Sequence, residues 1–272
     1  MKRIISVLVA IYVAVATFAQ DKGMAANMPA NVVYFEQNLN LEQLDGRSNN
    51  NAPTFLIYPH SRLDEAAAKT LVEELDMRDV LTANHVNVFV VNPIGDRYDN
   101  AQDFEGFKAV FNKARSGNLK VIGLGDGATF VNAAIAPSEA AGHIAGILTV
   151  GGRPGKAPAH SWGVPVYVAG NNAAKVAKTY ISMNKGEKEE KAVGKNIYKY
   201  VNAGEELLSV VVDENVGIPI AKIFDRAWDE VFSRNFRFNN YKHTHYDGAD
   251  YGAYGPYELE PYTVYERLGL KR

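Results

Sequence analysis

The chain has 272 residues, 47% of them hydrophobic and 22% charged, a composition that supports a packed core and excludes a disordered polar chain. Lys and Arg total 29 against 31 Asp and Glu, so no basic excess exists to neutralise a phosphate backbone, and nucleic acid is not an expected partner. The absence of cysteine excludes thiol nucleophiles, disulfides, thiolate zinc sites and cysteine-held iron–sulfur clusters, which leaves oxygen and nitrogen to carry any chemistry.

Lys2 and Arg3 precede an apolar run from Ile4 to Ala16, and Thr17-Phe18-Ala19 places small residues where a signal peptidase cuts. Residues 1–19 therefore read as a cleaved secretory signal. Without Lys2 and Arg3 the chain carries 27 basic and 31 acidic residues, a formal charge of −4. The apolar run falls short of the ~20 residues a membrane span needs, so the expected location is the periplasm or the exterior, with no membrane attachment after cleavage.

Beyond a polar stretch, Val32 to Phe35 and Thr54 to Tyr58 read as strands, the second ended by Pro59. Gly46 to Asn51 reads as a loop. Leu63, Ala67, Leu71 and Leu75 recur every four residues and predict an amphipathic helix from Leu63 to Met77. Strands are expected over Val86 to Val91, Leu119 to Leu124, Ile144 to Val150, Val164 to Ala169 and Leu207 to Val212. Helices are expected over Asp103 to Ala114, Ala128 to Ile135, the stretch from Ala169 to about Met183, and Pro219 to Phe232, where Trp228 reads as a core anchor. The charged run Gly186 to Lys191 reads as a solvated turn or helix end.

Alternating strands and helices predict an α/β fold, a mostly parallel sheet of about six to eight strands flanked by helices. The α/β domain is expected over residues 20–238. Residues 239–272 differ in kind, holding seven of the fifteen tyrosines among Gly and Pro, and read as a strap or linker.

The most informative stretch is Val121-Ile122-Gly123-Leu124-Gly125-Asp126-Gly127-Ala128, a strand running into a glycine turn and then a helix. Three readings compete. Gly123, Gly125 and Ala128 match a dinucleotide fingerprint, but the turn comes after other βα units and the next strand ends without the acid that would hold a ribose. The frame Gly123 to Gly127 matches a nucleophile elbow, G-x-S-x-G, with Gly125 in the nucleophile position, where no atom is available to attack an acyl carbon. A frame shifted by one puts the Asp126 carboxylate in that position.

Gly123 to Ala128 resembles the elbow of the α/β-hydrolase superfamily, and within it the secreted polyhydroxybutyrate-depolymerase and feruloyl-esterase-like esterases, with the serine replaced. The resemblance covers roughly residues 52 to 235 and implies a three-layer α/β-hydrolase-like sandwich. It is similar to the degenerate N-terminal domain of tandem esterases, and Tyr265 to Arg272 is similar to the linker entering their catalytic domain. A triad acid is implied after the strand ending at Ala169, where Gly170-Asn171-Asn172 stands. A histidine is implied after Val212, where Asp213-Glu214-Asn215-Val216-Gly217 stands. All three catalytic positions depart from the pattern, and asparagine supplies no charge to stabilise an imidazolium.

His60 and Ser61 follow a strand near the expected oxyanion loop, and Asp96 to Asp99 follow another on the rim where open α/β sheets bind ligands. His60, Ser61, Asp96, Asn171 and Asn172 are thus the expected cleft-lining residues. His243, His245 and Asp247 form a weak metal-ligand run, two imidazoles at alternate positions of an extended segment. No cofactor is expected. The sequence points to a secreted hydrolase-like binding or accessory module of an esterase or polymer-degradation system, with a second hydrolase domain or a polymer or ester as partner. Two alternatives are an ester hydrolase using Asp126 or Ser61 as nucleophile, and nucleotide binding at the Gly123–Gly125–Ala128 turn.

Overall fold

The structure, a computed structural model, describes residues 27–38, 54–77, 86–114, 119–157, 163–189, 193–203, 205–233, 235–238 and 242–245. The expected signal segment, the loop at 46–51, Asp247 and most of the tyrosine-rich segment lie outside these residues. Among the described residues no helix is long and apolar enough to cross a membrane.

Strands run β1 (Val32–Asn38), β2 (Thr54–Tyr58), β3 (Val86–Val91), β4 (Leu119–Leu124), β5 (Ile144–Val150), β6 (Val166–Ala169), β7 (Glu187–Lys188), β8 (Ile197–Asn202) and β9 (Glu205–Asp213). They form one sheet in the order β1-β3-β2-β4-β5-β6-β9-β8-β7. The pairs from β3 through β2, β4, β5 and β6 to β9 are parallel, whereas β1, β8 and β7 are antiparallel to their neighbours. The nine strands of this sheet among the described residues exceed the six to eight expected. The surplus is the β7–β8 hairpin, which replaces the predicted turn or helix end in the charged run.

Among the described residues five α-helices connect the strands: α1 (Glu65–Glu74), α2 (Asn100–Ala114), α3 (Asp126–Phe130), α4 (Ala173–Asn184) and α5 (Ile220–Ala227). Local chemistry sets their ends. The Asp64 carboxylate accepts from the Ala67 amide at 2.8 Å and caps α1, and Asp99 accepts from the amides of Ala101 and Gln102 in the same way for α2. Helix α4 stops where Lys185 turns left-handed and the Gly186 amide donates back to Ile181. Helices α3 and α5 each run into a π-helical turn, Val131–Ile135 and Trp228–Phe232.

Strands β2, β3 and β6 are buried at every position, as parallel strands covered on both faces must be. Alternation divides their side chains into two apolar clusters. Phe55 and Ile57 join Ala68, Val72, Phe224, Trp228 and Phe232 in one, where Phe55 meets the Phe232 ring edge-on at 5.5 Å. Leu56 and Tyr58 join Phe107, Val110, Phe130, Val176 and Tyr180 in the other. Trp228 is the core anchor the sequence predicts. Leu75 is buried as expected, but earlier in α1 the inner face is corrected by one position: Ala68 and Val72 are buried, while Ala67 is exposed and Leu71 half-buried. Spacings of four and then three residues follow the helical period, and a strict four-residue recurrence drifts off the face.

A separate hairpin pairs β10 (Asn235–Phe238) with β11 (Lys242–His245) across the expected boundary at residue 238. His243 and His245 occupy alternate positions of β11, in register with Arg237 and Asn235. Among the described residues no group of three or more His, Cys, Asp or Glu is placed to hold a metal ion.

Candidate functional site

The parallel strands present their C-terminal ends on one rim, and β4 reaches it at the glycine turn. The turn has the shape of a strand-to-helix elbow. Gly125 sits at φ +56 and ψ −113, a conformation an L side chain rarely adopts, and its amide donates to the Val150 carbonyl at 2.8 Å. The flanking glycines let α3 drop onto the sheet. A Cβ on Gly123 would lie 2.6 Å from Ala128 Cα, and one on Gly127 would run into the Tyr58 carbonyl oxygen.

His60, in the loop after β2, closes over this turn. Its Nδ1 accepts a hydrogen bond from the Asp126 amide at 3.1 Å. In a nucleophile elbow the amide following the nucleophile is one of the two oxyanion donors, so the imidazole holds the donor such a site relies on. The same ring fills the space beside Gly125: a Cβ there would fall onto His60 Nδ1. A side chain in the nucleophile position and His60 in its present place are mutually exclusive.

Hydrogen bonds tie the elbow to the loop after β5. The Gly125 carbonyl accepts from the Thr129 amide and hydroxyl, and Thr129 Oγ1 accepts from the Arg153 amide at 3.1 Å. Asn132 Nδ2 donates to the Arg153 carbonyl at 2.8 Å, and the buried Tyr180 hydroxyl donates to Asn132 Oδ1 at 2.7 Å. Burial pushes the Tyr180 hydroxyl well above the ordinary tyrosine range, so it remains a donor across physiological pH. Sequence reading named none of Thr129, Asn132, Arg153 and Tyr180, which lie on separate elements and follow no local motif.

The other expected residues share the rim without closing on the elbow as His60 does. Ser61 is exposed beside His60, and Asp96 is exposed in the loop after β3, two strands from β4. Asn171 and Asn172 are exposed after β6, two strands away on the other side, next to Gly170 at φ +89. Asp126 is exposed at the start of α3.

The strongest carboxylate site on the rim is Asp213, at the end of β9. Its side chain is fully buried, accepting from the Tyr167 hydroxyl at 2.8 Å, Arg226 at 2.7 Å, and the side chain and amide of Asn215 at 2.7 and 3.0 Å. Burial acts to raise its pKa, but the donors from Asn215, Tyr167 and Arg226 outweigh it and hold the carboxyl below the usual range. Asp213 is thus a charge committed to its own neighbours. The signal for it in the sequence is Asp-x-Asn directly after a strand, the pattern of an aspartate bonding its backbone two residues on.

No protein-family model matches the chain, and no curated protein matches it.

Proposed function

We propose that this protein is a secreted α/β-hydrolase-like binding or accessory module whose elbow performs no ester chemistry. The observation that carries this reading is the pairing of Gly125 with His60: the elbow conformation is kept, the nucleophile position has no side chain, and an imidazole occupies both that space and the Asp126 amide. The strand order supports it further. The glycine turn ends β4, in the middle of the parallel strands, and the strands that would precede a triad acid and histidine, β6 and β9, follow on one side. Two apolar clusters, one holding residues of α1 and α5 and the other residues of α2, α3 and α4, support the sandwich layering this reading implies. Asparagines stand where the acid belongs, and Asp213 is bound to Tyr167 and Arg226 next to where the histidine belongs.

The test is hydrolysis of short and long acyl nitrophenyl esters by the purified protein beside Asp126→Asn and Ser61→Ala variants. The expected result is a rate equal to buffer in all three. Turnover by the parent that either exchange abolishes would overturn the reading and assign the nucleophile to that residue.

A further inference from the structure

The sheet carries a concave feature at its β9–β8–β7 end, three or more strands from β4. A groove of about 310 Å³ runs between α4 and the β7–β8 hairpin. Alanines at 174 and 177, one helical turn apart, recess the α4 wall. Tyr198 and Tyr200 form the opposite wall. They alternate along β8 with Lys199, which points to the other face and meets Glu230 at 3.3 Å, so the two rings lie side by side. Both are only half-buried.

Charge is arranged along the mouth of the groove. Lys188 Nζ stands 4.5 Å over the Tyr198 ring, an interaction that fixes the ammonium in place without neutralising it. Lys178 projects from α4 one turn beyond Ala174, and Glu214 follows β9; all three charged residues are exposed. The groove is therefore open along its length and suited to a unit of a longer chain. Its volume lies at the lower end of the ~300–1,000 Å³ range of ligand sites, room for a ring and its substituents.

We propose that this groove binds a sugar acid, a uronate unit of an acidic polysaccharide. The C–H face of a pyranose packs on the tyrosine rings and the alanine wall, where flat aromatic surfaces take apolar area at low entropic cost. The sugar carboxylate meets the ammonium groups of Lys178 and Lys188. Glu214 and the tyrosine hydroxyls accept from the ring hydroxyls. A neutral sugar leaves both lysines without a partner, and an acidic peptide brings charge without a ring to cover Tyr200. The groove supplies a ligand for the binding role proposed above but does not depend on whether the elbow is inert.

The experiment titrates the purified full protein by calorimetry with tetragalacturonate, cellotetraose and tetraglutamate at millimolar concentration. The expected result is saturable binding of tetragalacturonate alone, weakened about tenfold or more by the double exchange Lys178→Gln/Lys188→Gln and weakened by added salt. Ala174→Leu, which fills the recess, should lose binding as well. Lys178, Lys188 and Ala174 are exposed, so melting curves should match the parent. Four results would each overturn the proposal: no saturation with tetragalacturonate, equal binding of cellotetraose, equal binding of tetraglutamate, or binding that survives both groove variants.

Discussion

The ammonium of Lys120, buried in the middle of the sheet on β4, donates to the backbone carbonyl of Asn235 at 3.2 Å and joins the central strand to the first residue of the β10–β11 hairpin. A charged group is costly in such a place, and burial alone lowers the Lys120 pKa to about 7 from its ordinary 10.5.

The stability of the fold should therefore rise with pH through the interval from about 7 to 10.5. Within it the unfolded chain keeps the Lys120 proton and the folded chain releases it, so the unfolded state binds more protons and raising the pH favours folding. Lys120→Met removes this dependence at the cost of about 1 kcal/mol for the bond to Asn235. Urea midpoints of parent and variant at pH 6 and pH 10 check the point. Relative to the parent, the variant should be more stable at pH 6 and lose that advantage by pH 10; a constant difference would mean that Lys120 is charged in the core at both.

Lys120 also marks the limit of what pattern reading delivers. The buried strands were legible because each is a short apolar run between turn residues, and β2 to β5 fall on the residues their sequence predicts. Strand β8 was not, because Ile197-Tyr198-Lys199-Tyr200-Val201 is a mostly half-buried antiparallel strand with Lys199 between Ile197 and Val201 on one face and no aliphatic residue on the other, and it follows a lysine–glutamate run. The elbow's glycine spacing was legible from β4 alone. The contact that decides its chemistry was not, since His60 and Asp126 are 66 residues apart and meet only when β2 and β4 pair in register.

Asp213 gives a pH dependence of the same sign at the acid end of the range. Its folded pKa lies below the ordinary 3.8, so the stabilisation from its bonds is present above that value and is lost as pH falls through the lower folded value. Asp213→Asn removes the charge that Arg226 and Tyr167 bond to, a loss of about 1.5–3 kcal/mol at neutral pH. The acid limb of the parent's stability curve should flatten in the variant. Denaturation at pH 7 and pH 3 measures both effects, and an unchanged acid limb would show that the Asp213 carboxyl holds its proton equally in the folded and unfolded chain.

Gly127 separates elbow geometry from elbow chemistry. A methyl group there runs into the carbonyl oxygens of Tyr58 and Pro59, which are backbone atoms unable to swing aside. Gly127→Ala should cost about 3 kcal/mol or more, at the upper end for overpacking. At Gly217, with φ +71 and no atom near an added methyl, alanine meets only backbone strain and should cost about 1–2 kcal/mol. Equal losses at the two sites would mean that α3 can lift away from β2 freely.

The coupling between Gly125 and His60 is measurable without knowing the ligand. Gly125→Ala introduces two penalties, a φ of +56 that alanine tolerates poorly and an overlap of its Cβ with His60 Nδ1. His60→Ala relieves the second and leaves the first, while forfeiting the bond to the Asp126 amide. The double variant should therefore be more stable than the sum of the single losses indicates, by about 1 kcal/mol or more, a coupling within the range for residues in contact. Urea unfolding of the four proteins closes the cycle. Additive losses would mean that the imidazole leaves the elbow without cost, and a ring that mobile does not block an oxyanion donor. A positive coupling would place the imidazole in the elbow in solution, where any serine introduced at position 125 must displace it before its hydroxyl can face a substrate.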